Sequence, residues 1–162
     1  MTPNIKVRRF EDADFETINQ YTLPDEQAIY TSIPSLIVET FRADKCNEPF
    51  VICSEGHVVG WFALYTDQSG NIYTNNEKAI LLKSLSIDAR HQKKGYALEA
   101  LRGLPNLVKE QYKDKDEIIL TVHETNSPAI NLYKKAGFVY KGENYDGEYG
   151  IELIFHQDLL KK

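Results

Sequence analysis

A chain of 162 residues is long enough for one domain with its own core, and one domain spanning 1–162 is the expectation. Its 42% apolar and 27% charged residues are ordinary for a globular protein. The net charge of -5, from 19 basic against 24 acidic residues, argues against a surface built to coat nucleic acid or an anionic membrane, which needs cationic excess. It leaves room for a small local anion site. Cys46 and Cys53 give neither a disulfide scaffold nor a Cys-x-x-Cys motif, and read as isolated thiols of a reducing, cytoplasmic setting. The opening residues Met1–Arg9 carry no apolar stretch of an export signal, and no apolar run approaches the roughly 20 residues of a membrane helix.

In chain order, Ile5-Lys6-Val7-Arg8 reads as a short strand. Glu11 or Asp12 opens a weakly apolar helix with Phe15, Ile18 and Tyr21. Pro24 sits at a helical first turn, with acidic Asp25 and Glu26 suiting the orphan amides there. A further helix from Pro34 to Phe41 places Leu36, Ile37 and Phe41 on one face. Phe50–Ser54 and Val58–Tyr65, joined by Glu55-Gly56-His57, predict an antiparallel hairpin, and a polar loop follows over 66–77. Ala79–Ile87 is a third strand, with Leu81, Leu85 and Ile87 sharing a parity.

The strongest helical pattern follows, with Ala97, Leu101, Leu104 and Val108 at three-to-four spacing. Pro105 either kinks or divides it. Ile118–Val122 is a buried strand, and Pro128–Ala136 a helix closed by Gly137. Phe138–Lys141 and Tyr149–Phe155 complete a pair of strands around an Asp146-Gly147 turn. The sum is an α/β (α+β) chain: a mixed central sheet flanked by helices.

Between the third strand and the long helix lies Arg90-His91-Gln92-Lys93-Lys94-Gly95-Tyr96-Ala97. A glycine here lets backbone approach a ligand, and first-turn amides favour an anion. The pattern is neither a P-loop nor a dinucleotide fingerprint, and a solvated helix start with incidental lysines would look the same. The second segment is Asn126-Ser127-Pro128-Ala129-Ile130-Asn131-Leu132-Tyr133-Lys134-Lys135-Ala136-Gly137-Phe138. Gln92-x-x-Gly95-x-Ala97 after a strand, followed in order by Asn126, Ala129, Tyr133, Gly137 and Phe138, resembles the cofactor-binding core of the GNAT superfamily of acetyl-CoA-dependent N-acetyltransferases. The small bacterial, polyamine-modifying type is the nearest in layout. The specific resemblance covers roughly Ile80 to Phe138.

That resemblance implies the GNAT acyl-CoA N-acyltransferase fold, acetyl-CoA as co-substrate and no metal. The backbones of Leu85 and Ile87 would pair with the pantetheine arm. Gln92, Lys93, Lys94, Gly95, Tyr96 and Ala97 would form the pyrophosphate cradle, mainly through amides. Asn126 would contact pantetheine, with Ala129 and Ile130 packed nearby, and Tyr133 would protonate the leaving CoA thiolate. Each has a plain structural alternative: a helix cap for Asn126, core packing for Ala129, Ile130 and Tyr133. A neutral amine would attack the thioester directly in a ternary complex, with no cysteine nucleophile.

The base is unassigned. Lys83-Ser84 stands where many relatives carry a glutamate, and Glu77, Glu39, Asp25, Glu26 and His123 are candidates. The segments expected to face the acceptor hold Asp25, Glu26, Glu39, Glu143, Asp146 and Glu148, with Tyr21, Tyr30, Tyr140, Tyr145 and Tyr149. Carboxylates with aromatics suit a cationic small-molecule amine, first a polyamine, then a protein N-terminus or an aminoglycoside. A non-catalytic acyl-CoA-sensing module is the alternative of a different class. A homodimer through Ile151–Phe155 and a monomer are equally compatible with the sequence.

Overall fold

The computed structural model describes residues 4–67, 72–148 and 150–159. Seven strands form one mixed sheet in the order β1-β2-β3-β4-β5-β7-β6. They are β1 (Ile5–Arg9), β2 (Asn47–Ser54), β3 (His57–Tyr65), β4 (Ala79–Ile87), β5 (Glu117–His123), β6 (Val139–Gly147) and β7 (Gly150–Asp158). The helices are α1 (Phe15–Asn19), α2 (Asp25–Ala28), α3 (Pro34–Ala43), α4 (Tyr96–Gln111) and α5 (Ser127–Lys135). The chain divides into two compact units, residues 1–64 with 83–100 and residues 65–82 with 101–162. The division falls inside β4 and inside α4.

In the first unit, β1 pairs antiparallel with β2 from Ile5↔Ser54 to Arg9↔Phe50. Its core gathers Phe10, Ile18, Tyr21, Val38, Val51, Val58 and Trp61, with Phe15, Ile37 and Phe41 packed against them. Phe41 stacks on the fully buried Trp61 at 5.9 Å. Leu36, expected on the inner face of α3, is 73% exposed. Val38 takes that place, since Pro34, Val38 and Phe41 follow the helical spacing that Leu36 breaks. Trp61 truncated to alanine would cost about 3–5 kcal/mol through the cavity left behind.

Asp14, on a 3-10 turn after β1, is buried and holds Arg8 in a two-pronged pair, with both nitrogens at 2.8 Å. It also accepts the Glu11 amide at 2.8 Å. Gly60 on β3 is required by space: a Cβ there would lie 2.5 Å from Ile87 Cδ1 and 2.8 Å from the Ser86 carbonyl oxygen.

In the second unit, β4 and β5 run parallel from Ala79↔Glu117 to Leu81↔Ile119. β7 lies antiparallel to β5 along seven residues and also pairs with β6. Pro105 does not divide α4, which runs unbroken through it, with Leu101, Leu104 and Val108 buried. β6 continues to Gly147, beyond the expected Lys141, and Gly147 pairs with Gly150, so Asp146-Gly147 belongs to the strand and is not the expected turn. A register shift between Tyr140 and Asn144 interrupts the alternation that a sequence pattern relies on. Among the described residues no helix is long and apolar enough to cross a membrane.

Candidate active site

The parity expected along β4 does not persist, because Ser84 takes a left-handed conformation with φ 61°. Past that point, Asp88 donates its N–H to the Val59 carbonyl at 2.8 Å. Alternation along the strand then turns the N–H and C=O of Leu85 and Ile87 to the opposite edge. The Ile87 carbonyl accepts a hydrogen bond from Gln92 Nε2 at 2.8 Å. Gln92 and Gln27 of α2 bond each other reciprocally, at 2.9 and 3.0 Å. Gln92 is therefore a strut between α2 and the end of β4.

The turn after β4 is held by Asp88, which is fully buried. Its carboxylate pairs with Arg90 at 2.6 Å and caps the amide of the same residue. Ala89 donates its N–H to the Thr22 carbonyl at 2.8 Å, tying this turn to the chain after α1. Arg90 is thus paired with Asp88 although exposed, and Lys93 and Lys94 are the further exposed cations of the junction.

Lys93 and Gly95 both adopt positive φ, 64° and 83°. Left-handed residues in such a turn fold consecutive N–H groups toward one point, a concavity suited to an anion. Gly95 leads directly into α4, where the Glu99 amide closes the first turn on the Gly95 carbonyl at 3.1 Å. The Tyr96, Ala97 and Leu98 amides precede that bond and have no intrahelical acceptor. Donor set, dipole and two lysines together fit a diphosphate group.

In the second unit, α5 is built by its ends. Asn126 is its N-cap, with Oδ1 accepting from the Ala129 amide at 3.4 Å. The cap role consumes the carbonyl of this side chain and leaves its NH₂ as a donor. At the other end, Phe138 N–H bonds the Tyr133 carbonyl at 3.0 Å and Gly137 N–H the Lys134 carbonyl at 3.1 Å. With Gly137 at φ 100°, this is a Schellman ending. The apolar contact that accompanies such an ending is Tyr133 against Phe138, edge-on at 6.1 Å.

The spacing Tyr-x-x-x-Gly-Phe is thus one stop signal that also fixes the Tyr133 ring. The Tyr133 hydroxyl has no hydrogen-bond partner among the described residues, and burial pushes its pKa up to about 12. It stays a protonated donor. Ala129 and Ile130 are half-buried on the same helix.

Other candidates are redistributed. Tyr21 is a core residue bonded to Ser86 at 2.7 Å, its pKa raised by burial. Glu143 holds His156 at 2.6 Å, and Glu117 reaches the other ring nitrogen at 3.1 Å. His123 Nδ1 lies 2.8 Å from the Thr125 hydroxyl and 3.2 Å from the Thr125 amide nitrogen. Lys83 lies over the Phe41 ring at 4.8 Å and bonds Asn47 at 3.3 Å, its pKa lowered by burial. Tyr149 lies outside the described residues. Asp88 and Gln27 escaped the sequence reading, although an Asp two residues before an Arg at a strand end was a readable capping signal.

The family profile described as "Acetyltransferase (GNAT) family" matches residues 8–138. This chain belongs to the GNAT family, and it is an acetyl-CoA-dependent acetyltransferase acting on an amine. Among its relatives are the uncharacterized N-acetyltransferase YbbJ of Bacillus subtilis, 34% identical over 98% of this chain and all of that one, and the spermine/spermidine N(1)-acetyltransferase of the same organism, 29% identical over 90% of this chain and 95% of that one. The aminoglycoside acetyltransferase AAC(6')-Ib, solved with coenzyme A and kanamycin, shares the fold with a TM-score of 0.80 at 15% identity, covering 96% of this chain and 95% of that one.

Proposed function

We propose that this chain acetylates a primary amine of a polyamine, by direct attack on the thioester within a ternary complex. The supporting observation is the 29% identity with the spermine/spermidine acetyltransferase along 90% of this chain. The aminoglycoside enzyme is near in fold alone, at 15% identity.

Acetyl-CoA supplies the activated acetyl group. The amides from Lys93 to Ala97 hold the diphosphate, and Lys93 and Lys94 raise the local potential. The outward edge of Leu85 and Ile87 takes amide groups of the pantetheine arm. In the second unit, the Asn126 NH₂ is a donor for the same cofactor. Gly95 lets the chain approach closely. Tyr133, which burial keeps protonated and Phe138 keeps in one orientation, gives its proton to the departing sulfur and regains one from the attacking amine, which sheds a proton as the amide forms. Cys53 is given no part: it is buried, with its thiol pKa raised by that burial.

The test is thiol release from acetyl-CoA with a panel of spermidine, aminoglycosides, free amino acids and short peptides. Spermidine is expected to be turned over with the highest kcat/KM. A panel in which spermidine is inert while another amine is acetylated would overturn the polyamine assignment.

A further inference from the structure

Strand register brings an unexpected carboxylate to the middle of the second unit. Glu152 on β7 stands directly opposite His123 on β5 and opposite Tyr145 on β6. Directly paired residues project from the same face, so His123, Glu152 and Tyr145 form a row across three strands. Thr121, two residues before His123 and on the same face, donates its hydroxyl to Glu152 Oε1 at 2.9 Å. Tyr73, from the segment leading into β4, packs on Leu81 and Ile119 and meets the Tyr145 ring edge-on at 4.9 Å.

The row is shaped by two glycines. A Cβ at Gly150 would lie 2.8 Å from His123 Nε2, and one at Gly147 would collide with the Glu152 carboxylate. Both side chains occupy space that a larger residue would deny them.

Glu152 is half-buried and makes no ion pair among the described residues. Other carboxylates in comparable positions are matched: Asp88 by Arg90, Asp14 by Arg8, Glu143 and Glu117 by His156. The Glu152 charge contributes, after burial, to the raised pKa of Tyr73, which sets that phenol beside the carboxylate. Oriented by the Thr121 hydroxyl, with Tyr145 paired beside it and Tyr73 packed on Tyr145, Glu152 offers an ammonium a charge-assisted hydrogen bond next to two phenols.

We propose that Glu152, with Tyr73 and Tyr145, is a subsite for an ammonium group of the acceptor. The proposal rests on the amine-acetylating reading above and deepens it: the acceptor is a cation recognised through β7. Thr121 positions the carboxylate and does not itself hold the ligand.

The experiment is calorimetric titration of spermidine into the enzyme saturated with CoA, for the wild type, Glu152→Gln and Thr121→Val. Glu152→Gln keeps the oxygen that Thr121 bonds and removes only the charge, so melting should be little altered. It is expected to weaken spermidine by about tenfold to a hundredfold and leave CoA binding unchanged. Thr121→Val, which keeps the charge and frees its orientation, should weaken spermidine by a smaller factor. Spermidine binding within twofold of wild type in Glu152→Gln would overturn the subsite. Should the amine panel identify an acceptor other than spermidine, the polyamine assignment falls alone. The same titration with that acceptor then decides Glu152: a loss of tenfold or more supports the subsite, and no change overturns it.

Discussion

Tyr133 and Asp14 show how a single side chain acquires its chemistry from what surrounds it. The Tyr133 phenol is fixed by a ring contact and raised to about 12 by burial, so it remains protonated at any pH where the protein functions. Tyr133→Phe should lower kcat by about a hundredfold, the ordinary scale of a lost general acid, with CoA binding retained in titration. Equal losses of kcat and of CoA affinity would assign the residue to packing. The wild-type pH–rate profile should accordingly show no basic limb from Tyr133 below pH about 11.

At Asp14, desolvation opposes the charge, yet the hydrogen bonds from Arg8 and Glu11 and the attraction of Arg8 outweigh it, and the pKa is lowered. A folded-state pKa below the unfolded one means stability that is present above the unfolded value near 4 and is lost as pH falls through the folded value. Asp14→Asn should therefore cost about 1–3 kcal/mol at neutral pH, with a smaller penalty under acid conditions, as followed by denaturant unfolding at both pH values.

Elements, and particularly their ends, carry the binding geometry. The start of α4 depends on Lys93 and Gly95 holding positive φ, and a lysine pays for that conformation where a glycine does not. Gly95→Ala should raise the KM for acetyl-CoA by tenfold or more, with a stability loss of only about 1 kcal/mol in thermal melts. An unchanged KM would remove this turn from the cofactor site. On β3, Gly60→Ala would force a Cβ against both a side chain and the Ser86 carbonyl oxygen. Since backbone cannot move aside cheaply, a cost of about 1–3 kcal/mol is expected in equilibrium unfolding.

The ends of α5 were readable because capping chemistry is local: Asn126, Pro128, Gly137 and Phe138 each do the task their type and spacing announce. The left-handed Ser84 in β4 was not. A strand pattern assumes alternation, and nothing in Lys83-Ser84-Leu85 signals the break.

For the whole molecule, the net charge of -5 concealed the distribution that matters. Arg90 is paired with Asp88, so the proposed diphosphate turn would rely on amides and on Lys93 and Lys94. Binding that selects the folded protein stabilises it by mass action: CoA at a hundred times its Kd should add about 2.7 kcal/mol, visible as a raised Tm. Absence of any shift would remove the cofactor assignment. With the diphosphate held mainly by fixed amides, as proposed, the shift should persist at high salt better than one carried by lysines alone.

The sequence by itself determined the class. Two motifs, each a local device of glycine, cap and helix start, sit within neighbouring stretches of chain, and local devices are written in consecutive residues. It also indicated the sheet's mixed character, from strands that alternate with long helices and then pair as hairpins. Only the tertiary structure decided which carboxylates are already spent. Asp88, Asp14 and Glu143 are each committed to a cation or an imidazole contributed by residues that sequence distance alone does not select. Glu152 emerged because strand register, and not spacing, sets it beside His123, Tyr145 and Thr121. A one-residue slip would turn it to the opposite face, and the hydrogen bonds that prevent the slip form only when the sheet does.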